Sequence, residues 1–281
     1  MVGLLTREHI WGERALDTIK RNGIWVPPSD LAILLGGLMS NHCRTIDGSL
    51  MAYSWTASPS FNKWDHGVCC VGITDSSFTP NMRAPTIRPV LSVDEASKIP
   101  ANVVGEFASI PVCQYGEYPQ MVASKVVNHA LEMHFQEANL KTTGKNYTFD
   151  SADILGGHLP FQANLHPEYV YRGKKYVRVI AQPVDDDSCL STGQHVEDEK
   201  AYWVQVQDID WLMDPSGLRI AKRALLAGIQ FDKKNEYDGR FETTFMYDYL
   251  NTYFIKEIQP SILSPQKTRG VFSFRKRSLV R

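Results

Sequence analysis

The sequence predicts an α+β protein with small antiparallel sheets, flanking helices and long loops. Two observations support this class. Apolar residues recur at helical spacing near the start and the middle of the chain, around Ile10 and Val126. Short apolar or alternating runs, separated by Gly, Pro, Asn and Ser, predict strands joined by turns, most clearly over residues 50–91 and 202–211.

The first ninety residues are predicted to contain two helices and a small sheet. Thr6 caps an amphipathic helix that Asn22-Gly23 ends. A short strand over 24–26 and the break at Pro27-Pro28 follow, and Ser29 then caps a second helix that runs to about Met39. The strands after that helix are expected over residues 51–55, 68–73 and 86–91.

The second part of the chain has a different texture. A capped helical turn at 92–95 leads to it. The elements expected in it, in chain order, are strand then turn over 111–120, a helix of about 17 residues within 121–140, a hairpin of 169–171 with 176–180, a half-buried strand over 202–211, a turn at 214–217, strand, turn and strand over 219–231, and a helix over 244–258.

Size and charge exclude few functions. A chain of 281 residues forms one large domain or two ordinary ones. Its 30 basic and 31 acidic residues create no overall field toward nucleic acid or membrane. The segment 261–281 is locally basic and carries Phe272 and Phe274, so nucleic-acid binding through this tail is one interpretation. Docking of the tail on an acidic protein face is the favoured one.

The lack of a recognisable targeting signal and the pattern of cysteines indicate a cytoplasmic or virion-associated protein. The first residues lack the apolar run of a secretory signal, and no stretch approaches the roughly 20 apolar residues of a membrane span. The five cysteines form no pattern of metal ligands, so reduced thiols are favoured over a vicinal disulfide at Cys69-Cys70. No membrane partner is expected, and the oligomeric state is left open.

Motifs for catalysis or cofactors are not found. His129 and His134 lie five residues apart and fall on different faces of a helix, which argues against a paired metal site. The acidic run 185–187 is expected to be solvated. The glycine pairs at 36–37 and 156–157 lack the context of a phosphate-binding loop. We therefore predict no catalytic residues, no metal and no cofactor.

Two short segments frame the interval that the sequence marks as a binding site. They are Tyr-Ser-Trp-Thr-Ala-Ser-Pro at 53–59 and Thr-Ile-Arg-Pro-Val-Leu at 86–91. Between them, residues 60–85 mix aromatic and polar side chains, a composition typical of adaptable binding surfaces. The predicted binding residues are Phe61, Asn62, Trp64, Asp65, His66, Phe78 and Asn81.

This frame resembles the closing half of the C-type-lectin-like domains related to formylglycine-generating enzymes, a group that includes variable proteins of diversity-generating retroelements. Tyr-Gly-Glu-Tyr-Pro-Gln at 115–120, the strand 203–211 and residues 241–254 resemble the opening half. The resemblance implies a closing-half segment at 1–100, an opening-half segment at 106–260 and a basic tail at 261–281. Because this order is reversed, the module is either permuted or a composite of two half-modules, and one composite body is favoured.

The resemblance implies a non-catalytic module that recognises a protein or glycan. One alternative is a structural subunit of a virion or bacterial assembly. Another is an oxidase of the formylglycine-generating type, whose relatives bind copper through two cysteines a few residues apart. Cys69 and Cys70 are adjacent and would point to opposite faces of a strand, which argues against that alternative.

Overall fold

The structure is a computed structural model that combines helices with antiparallel sheets, which confirms the α+β class. No helix within its described part is long and apolar enough to cross a membrane. The basic tail, 261–281, lies outside that part. The residues that the structure describes are 1–13, 15–22, 26–44, 50–60, 68–71, 75–99, 102–149, 165–234 and 236–260.

Strands of the described residues form three sheets, one of nine strands, one of three (β4-β5-β6) and one of two (β2-β3). In chain order they are β1 (Val2–Gly3), β2 (Met39–Arg44), β3 (Leu50–Ala52), β4 (Ser54–Pro59), β5 (Val68–Val71), β6 (Asp75–Phe78), β7 (Val90–Leu91), β8 (Val103–Phe107), β9 (Ile110–Val122), β10 (Lys141–Tyr147), β11 (His166–Tyr171), β12 (Lys174–Ile180), β13 (Ala201–Met213) and β14 (Arg219–Ala221).

Strand β13 is the centre of the nine-stranded sheet. Val204 pairs with Val122 of β9 on one side and with Val177 of β12 on the other, so β9 and β12 flank it. Strand β14 pairs with the last residues of β13, on the same edge of β13 as β12. The order is β1-β7-β14-β13-β12-β11-β10, with β8 beyond β9. Strands from the first hundred residues, β1 and β7, therefore lie in one sheet with strands from the rest of the chain.

Seven α-helices surround these sheets in the part of the chain that is described. They are α1 (Arg7–Trp11), α2 (Asp17–Asn22), α3 (Asp30–Leu34), α4 (Val93–Ser97), α5 (Lys125–Gln136), α6 (Phe245–Tyr249) and α7 (Ile255–Glu257). A π-helical segment (Leu250–Phe254) joins α6 to α7, and a 3-10 turn (Phe241–Thr243) precedes α6. The predicted helix over 244–258 is thus confirmed, with Thr244 as its cap.

The two helices predicted near the N-terminus are wrong in length. Thr6 caps α1 as predicted, accepting a hydrogen bond from the His9 amide, but Gly12 takes an extended conformation and splits the expected helix into α1 and α2. Helix α3 ends at Leu34, well before Met39. Gly36 has a φ of 78°, and this left-handed conformation is the usual way in which a glycine ends a helix.

Helix α5 covers the start of β13 and is shorter than the predicted helix. It begins at Lys125 because β9 extends to Val122. Glu132 fixes it to the sheet, since its carboxylate accepts hydrogen bonds from Arg178 at 3.0 Å and from the Trp203 indole at 2.9 Å. The Arg178 guanidinium holds the pKa of Glu132 down at about 2. Beneath the helix, Trp203 packs against the buried Leu131.

Strand β9 replaces the strand and turn that were expected over 111–120. The register with β13 shifts between Asp208 and Asp210, opposite Gly116, whose φ is 72°. This is a bulge within one strand, so the predicted turn is wrong. A Cβ atom at Gly116 would lie 2.8 Å from the carbonyl oxygen of Ile258, which leaves room for glycine alone.

Local patterns predicted other elements well. The hairpin of β11 and β12 turns at Arg172-Gly173, and the alternating run at 202–211 lies inside β13. Ser92 caps α4 as expected. The second strand predicted within 219–231 is wrong, because residues 222–231 form only isolated bridges, from Ala224 to Pro28 and from Leu226 to Ile87.

Candidate functional site

The two framing segments lie side by side. Ser54 of β4 and Thr86 form a parallel bridge, in which the Trp55 amide donates to the Thr86 carbonyl at 3.0 Å and the Thr86 amide donates to the Tyr53 carbonyl at 2.7 Å. The hydroxyls of Ser54 and Thr86 are 2.8 Å apart, and Thr86 Oγ1 also donates to the Tyr53 carbonyl at 2.9 Å. The two framing segments are therefore tied together by hydrogen bonds at Thr86, among them the buried contact between its hydroxyl and that of Ser54.

Aromatic packing anchors this frame in the main core. Trp55 is 1% exposed, and its ring lies 5.4 Å from that of Phe231 and 6.4 Å from that of Phe78. Further along β4, the Ala57 carbonyl accepts a hydrogen bond from the Tyr237 hydroxyl at 3.0 Å. A cavity of about 200 Å³, lined in part by Tyr237 and Asp238, lies on this side of the molecule.

Arg88, in the Arg-Pro segment, is a buried cation. Its Nε donates to the Ala221 carbonyl at 2.9 Å, and its Nη1 has no hydrogen-bond partner among the described residues. Burial lowers the pKa of Arg88 to about 10. The guanidinium links this segment to the end of β14 while remaining charged at neutral pH.

Two of the predicted binding residues are in the described part of the chain. Phe78, at the end of β6, is half-buried and turns a ring edge toward Tyr53 and Trp55. Asn81 is exposed in the turn that follows. Phe61, Asn62, Trp64, Asp65 and His66 lie outside the described residues.

The cysteine pair named in the copper alternative lies in β5, where Cys69 pairs with Ser77 and Cys70 with Ser76. The described residues contain no group of three or more His, Cys, Asp or Glu side chains placed to hold a metal ion.

A cluster of tyrosines and carboxylates elsewhere in the sheet was not predicted. Tyr147 donates to Glu168 at 2.7 Å, and the Tyr118 ring packs edge-on at 5.5 Å against the Tyr147 ring. Tyr249 donates to the Thr148 carbonyl at 2.9 Å. Burial raises the pKa of Tyr118 and of Tyr147, so both phenols stay protonated.

Glu257, at the end of α7, is the most perturbed acid of this cluster. Its Oε1 accepts the Thr148 amide hydrogen at 2.9 Å and its Oε2 lies 3.5 Å from the Tyr118 hydroxyl. Burial raises the pKa of Glu257 to about 8, against the smaller opposing effect of these hydrogen bonds. A carboxyl group with this pKa is mostly neutral at pH 7 and sits where a proton can be held or released near neutrality.

A groove opens beside this acid. Its volume is about 460 Å³, and it lies between the bulged part of β10 and the end of α7. Its lining residues are Thr143, Gly144, Lys145, Asn146, Lys256, Glu257, Gln259 and Pro260. Local sequence patterns gave no signal for it, because the lining comes from two segments that are distant in the chain.

In comparisons with known proteins, no family model, no curated protein and no solved structure matches the chain.

Proposed function

We propose that this protein is a non-catalytic module of the C-type-lectin-like type that recognises a protein or glycan through residues 60–85. The observation that carries the proposal is the closed frame at Ser54 and Thr86. A rigid scaffold whose ends are fixed by buried hydrogen bonds allows the connecting segment to vary in chemistry without loss of the fold.

Burial around the frame supports this role. Trp55 and Thr86 are 1% and 0% exposed, whereas Asn81 of the interval is exposed. The frame therefore belongs to the core, while Asn81 of the interval reaches the surface. Aromatic and polar side chains at such a surface are the residues from which recognition sites are built.

The test removes two aromatic side chains of the interval. Phe61→Ala with Trp64→Ala is compared with the natural chain on arrays of glycans and of peptides. Trp11→Ala with Val126→Ala is the matched control, since these side chains are 43% and 80% exposed and lie outside the interval. Circular dichroism checks that all three proteins are folded.

The proposal expects the natural chain and the control to bind a common set of glycans or peptides that the interval variant no longer binds. Loss of at least tenfold in affinity is expected, because aromatic anchors carry a large part of binding free energy. A binding pattern that is the same in all three proteins contradicts the proposal and favours the alternative of a structural subunit.

A further inference from the structure

We propose that the groove between residues 143–146 and the end of α7 is a second binding site, for a small ligand that carries a carboxylate or phosphate group, with Lys145 as its main contact. This site is separate from the interval 60–85 and does not depend on the function proposed for that interval. Three features support it: the position of Lys145, the charges around it and the shape of β10.

Lys145 is held at the groove in a fixed position. Its Nζ donates to the Gln259 carbonyl at 2.7 Å and lies 4.7 Å above the centre of the Tyr147 ring. An ammonium group has three hydrogens, and this carbonyl uses one of them. Lys145 is half-buried, and because its charge is partly desolvated its pKa is lowered. A desolvated cation with donors to spare binds an oxyanion more strongly than an exposed lysine does.

The acids near Lys145 are engaged elsewhere. Glu117 pairs with Lys175, and Glu168 accepts hydrogen bonds from Tyr147 at 2.7 Å and from Thr143 at 2.8 Å. Glu257 is buried and mostly neutral at pH 7. In the described part of the chain Lys145 thus has no carboxylate in direct contact, although Glu117, Glu168 and Glu257 all act on it at longer range.

A second lysine adds to the positive charge of the groove. Lys256 is exposed and lines the groove with Lys145. The Asn146 side chain, also in the lining, can donate through its amide. Two ammonium groups and an amide around one cavity suit a ligand with carboxylate or phosphate oxygens better than they suit a cation or an apolar ligand.

The shape of β10 places the main donor, Lys145. Its register with β11 shifts between Thr142 and Asn146, so residues 143–145 bulge out of the ladder. Gly144 has a φ of 85°, a conformation that other residues rarely adopt. Bulges re-aim side chains and occur often beside binding sites. Here the bulge lies at the groove and carries Lys145 with it.

Glu257 makes binding dependent on pH. A bound oxyanion near this carboxyl group disfavours its ionisation, so the protonated form binds more tightly. The titratable groups that act on Glu257 from neighbouring elements are Tyr118 of β9 and Lys145 and Tyr147 of β10. Glu117 of β9, Glu168 of β11 and Lys175 of β12 act in turn on Lys145, and Tyr249 of α6 acts on Tyr118. Loss of charge by Lys145 at high pH would also weaken binding.

The first experiment titrates the purified full chain with sulfate, which stands for a phosphate group, and separately with acetate. Amide NMR shifts of residues 144–146 are followed at pH 7 and constant ionic strength. Lys145→Gln is compared with Lys141→Gln, an exposed lysine of the same strand outside the groove lining. Saturation by sulfate alone points to a phosphate ligand, and saturation by acetate to a carboxylate.

We expect saturable shifts in the natural chain and in Lys141→Gln, and at least a tenfold loss of affinity in Lys145→Gln. Equal affinities in all three proteins, or no saturation by either ion, overturn the proposal.

The second experiment repeats the titration at pH 9 with Glu257→Gln. The natural chain is expected to bind about tenfold more weakly at pH 9, because about a tenth of Glu257 is then protonated. The Gln variant should keep its affinity. A tenfold loss in that variant too would assign the effect to Lys145 and overturn the role of Glu257, and if the variant does not fold, the Lys145 comparison at pH 7 still decides the site.

Discussion

Single buried charges are the costly residues of this protein. In the described part of the chain, Arg88 has a hydrogen bond from Nε and no partner for Nη1, and burial lowers its pKa to about 10. Glu257 is buried and has a pKa raised to about 8. In both cases desolvation outweighs the local hydrogen bonds, so the charged form lowers the stability of the fold.

Replacement of Arg88 with Met is expected to raise the free energy of unfolding by about 1 kcal/mol, because an apolar chain of similar length fills the site without a buried charge. Arg178→Met is the control, since Arg178 makes two 3.0 Å hydrogen bonds to Glu132. Its loss is expected to lower the free energy of unfolding by about 1 kcal/mol. Urea unfolding at pH 7 measures both. If Arg88→Met lowers the free energy of unfolding as the control does, the guanidinium stabilises the frame and the prediction is wrong.

Glu257 makes stability fall as pH rises. Its pKa is about 8 in the folded chain and 4.5 when the side chain is fully exposed, so the folded state binds the extra proton between these values. The stabilisation is complete below pH 4.5 and is lost as pH rises through 8. Relative to Glu257→Gln, the natural chain should lose on the order of 3 kcal/mol between pH 5 and pH 8. Parallel urea curves for the two proteins at every pH would contradict this pKa.

At the scale of elements, the hairpin of β8 and β9 turns through two residues that are poorly suited to it. Phe107 pairs with Ile110, and Ala108 and Ser109 between them have φ values of 45° and 63°. A two-residue turn with both residues in the left-handed region favours Asn and Gly. Substitution of Ala108 and Ser109 by residues that favour this conformation should therefore relieve strain in the turn.

The double variant Ala108→Asn with Ser109→Gly is expected to raise the free energy of unfolding by about 1 kcal/mol. The hairpin of β11 and β12 supplies the opposite control, because Gly173 has a φ of 76° and Gly173→Ala should cost about 1 kcal/mol. Thermal unfolding of the three proteins gives the signs. The turn assignment fails if both changes shift the melting temperature in the same direction.

Local patterns in the sequence predict those elements that local chemistry determines. The alternation within β13, the turn at Arg172-Gly173 and the Ser92 cap of α4 are of this kind. The bulge at Gly116 is not, because it depends on the carbonyl of Ile258 from the far end of the chain. Short-range periodicity contains no information on such a contact, and a turn is then the natural prediction.

The candidate sites divide in the same way. The segments of the frame were visible as aromatic and Pro-containing runs, and the structure brings Ser54 and Thr86 together. Glu257 was not visible, because in the sequence it is one acidic residue near the end of an amphipathic helix. Its surroundings come from Tyr118 and Thr148, which other parts of the chain supply.

At the scale of the whole molecule, the frame and the interval should contribute separately to stability and to binding. Replacement of residues 61–67 by a Gly-Ser linker of equal length is expected to change the free energy of unfolding by less than about 1 kcal/mol, because Trp55 and Thr86 keep their core contacts. Thr86→Val with Ser54→Ala is expected to cost about 2 kcal/mol, because the buried hydroxyl contacts are lost. Urea unfolding compares the two.

The central claim is that the frame displays residues 60–85 for recognition. The most direct test measures the affinity of the linker-replaced chain for the glycans or peptides that the natural chain binds on the arrays. We predict that this chain stays folded and loses that binding by at least tenfold. Unchanged affinity in the folded, linker-replaced chain would contradict the account and place recognition elsewhere on the molecule.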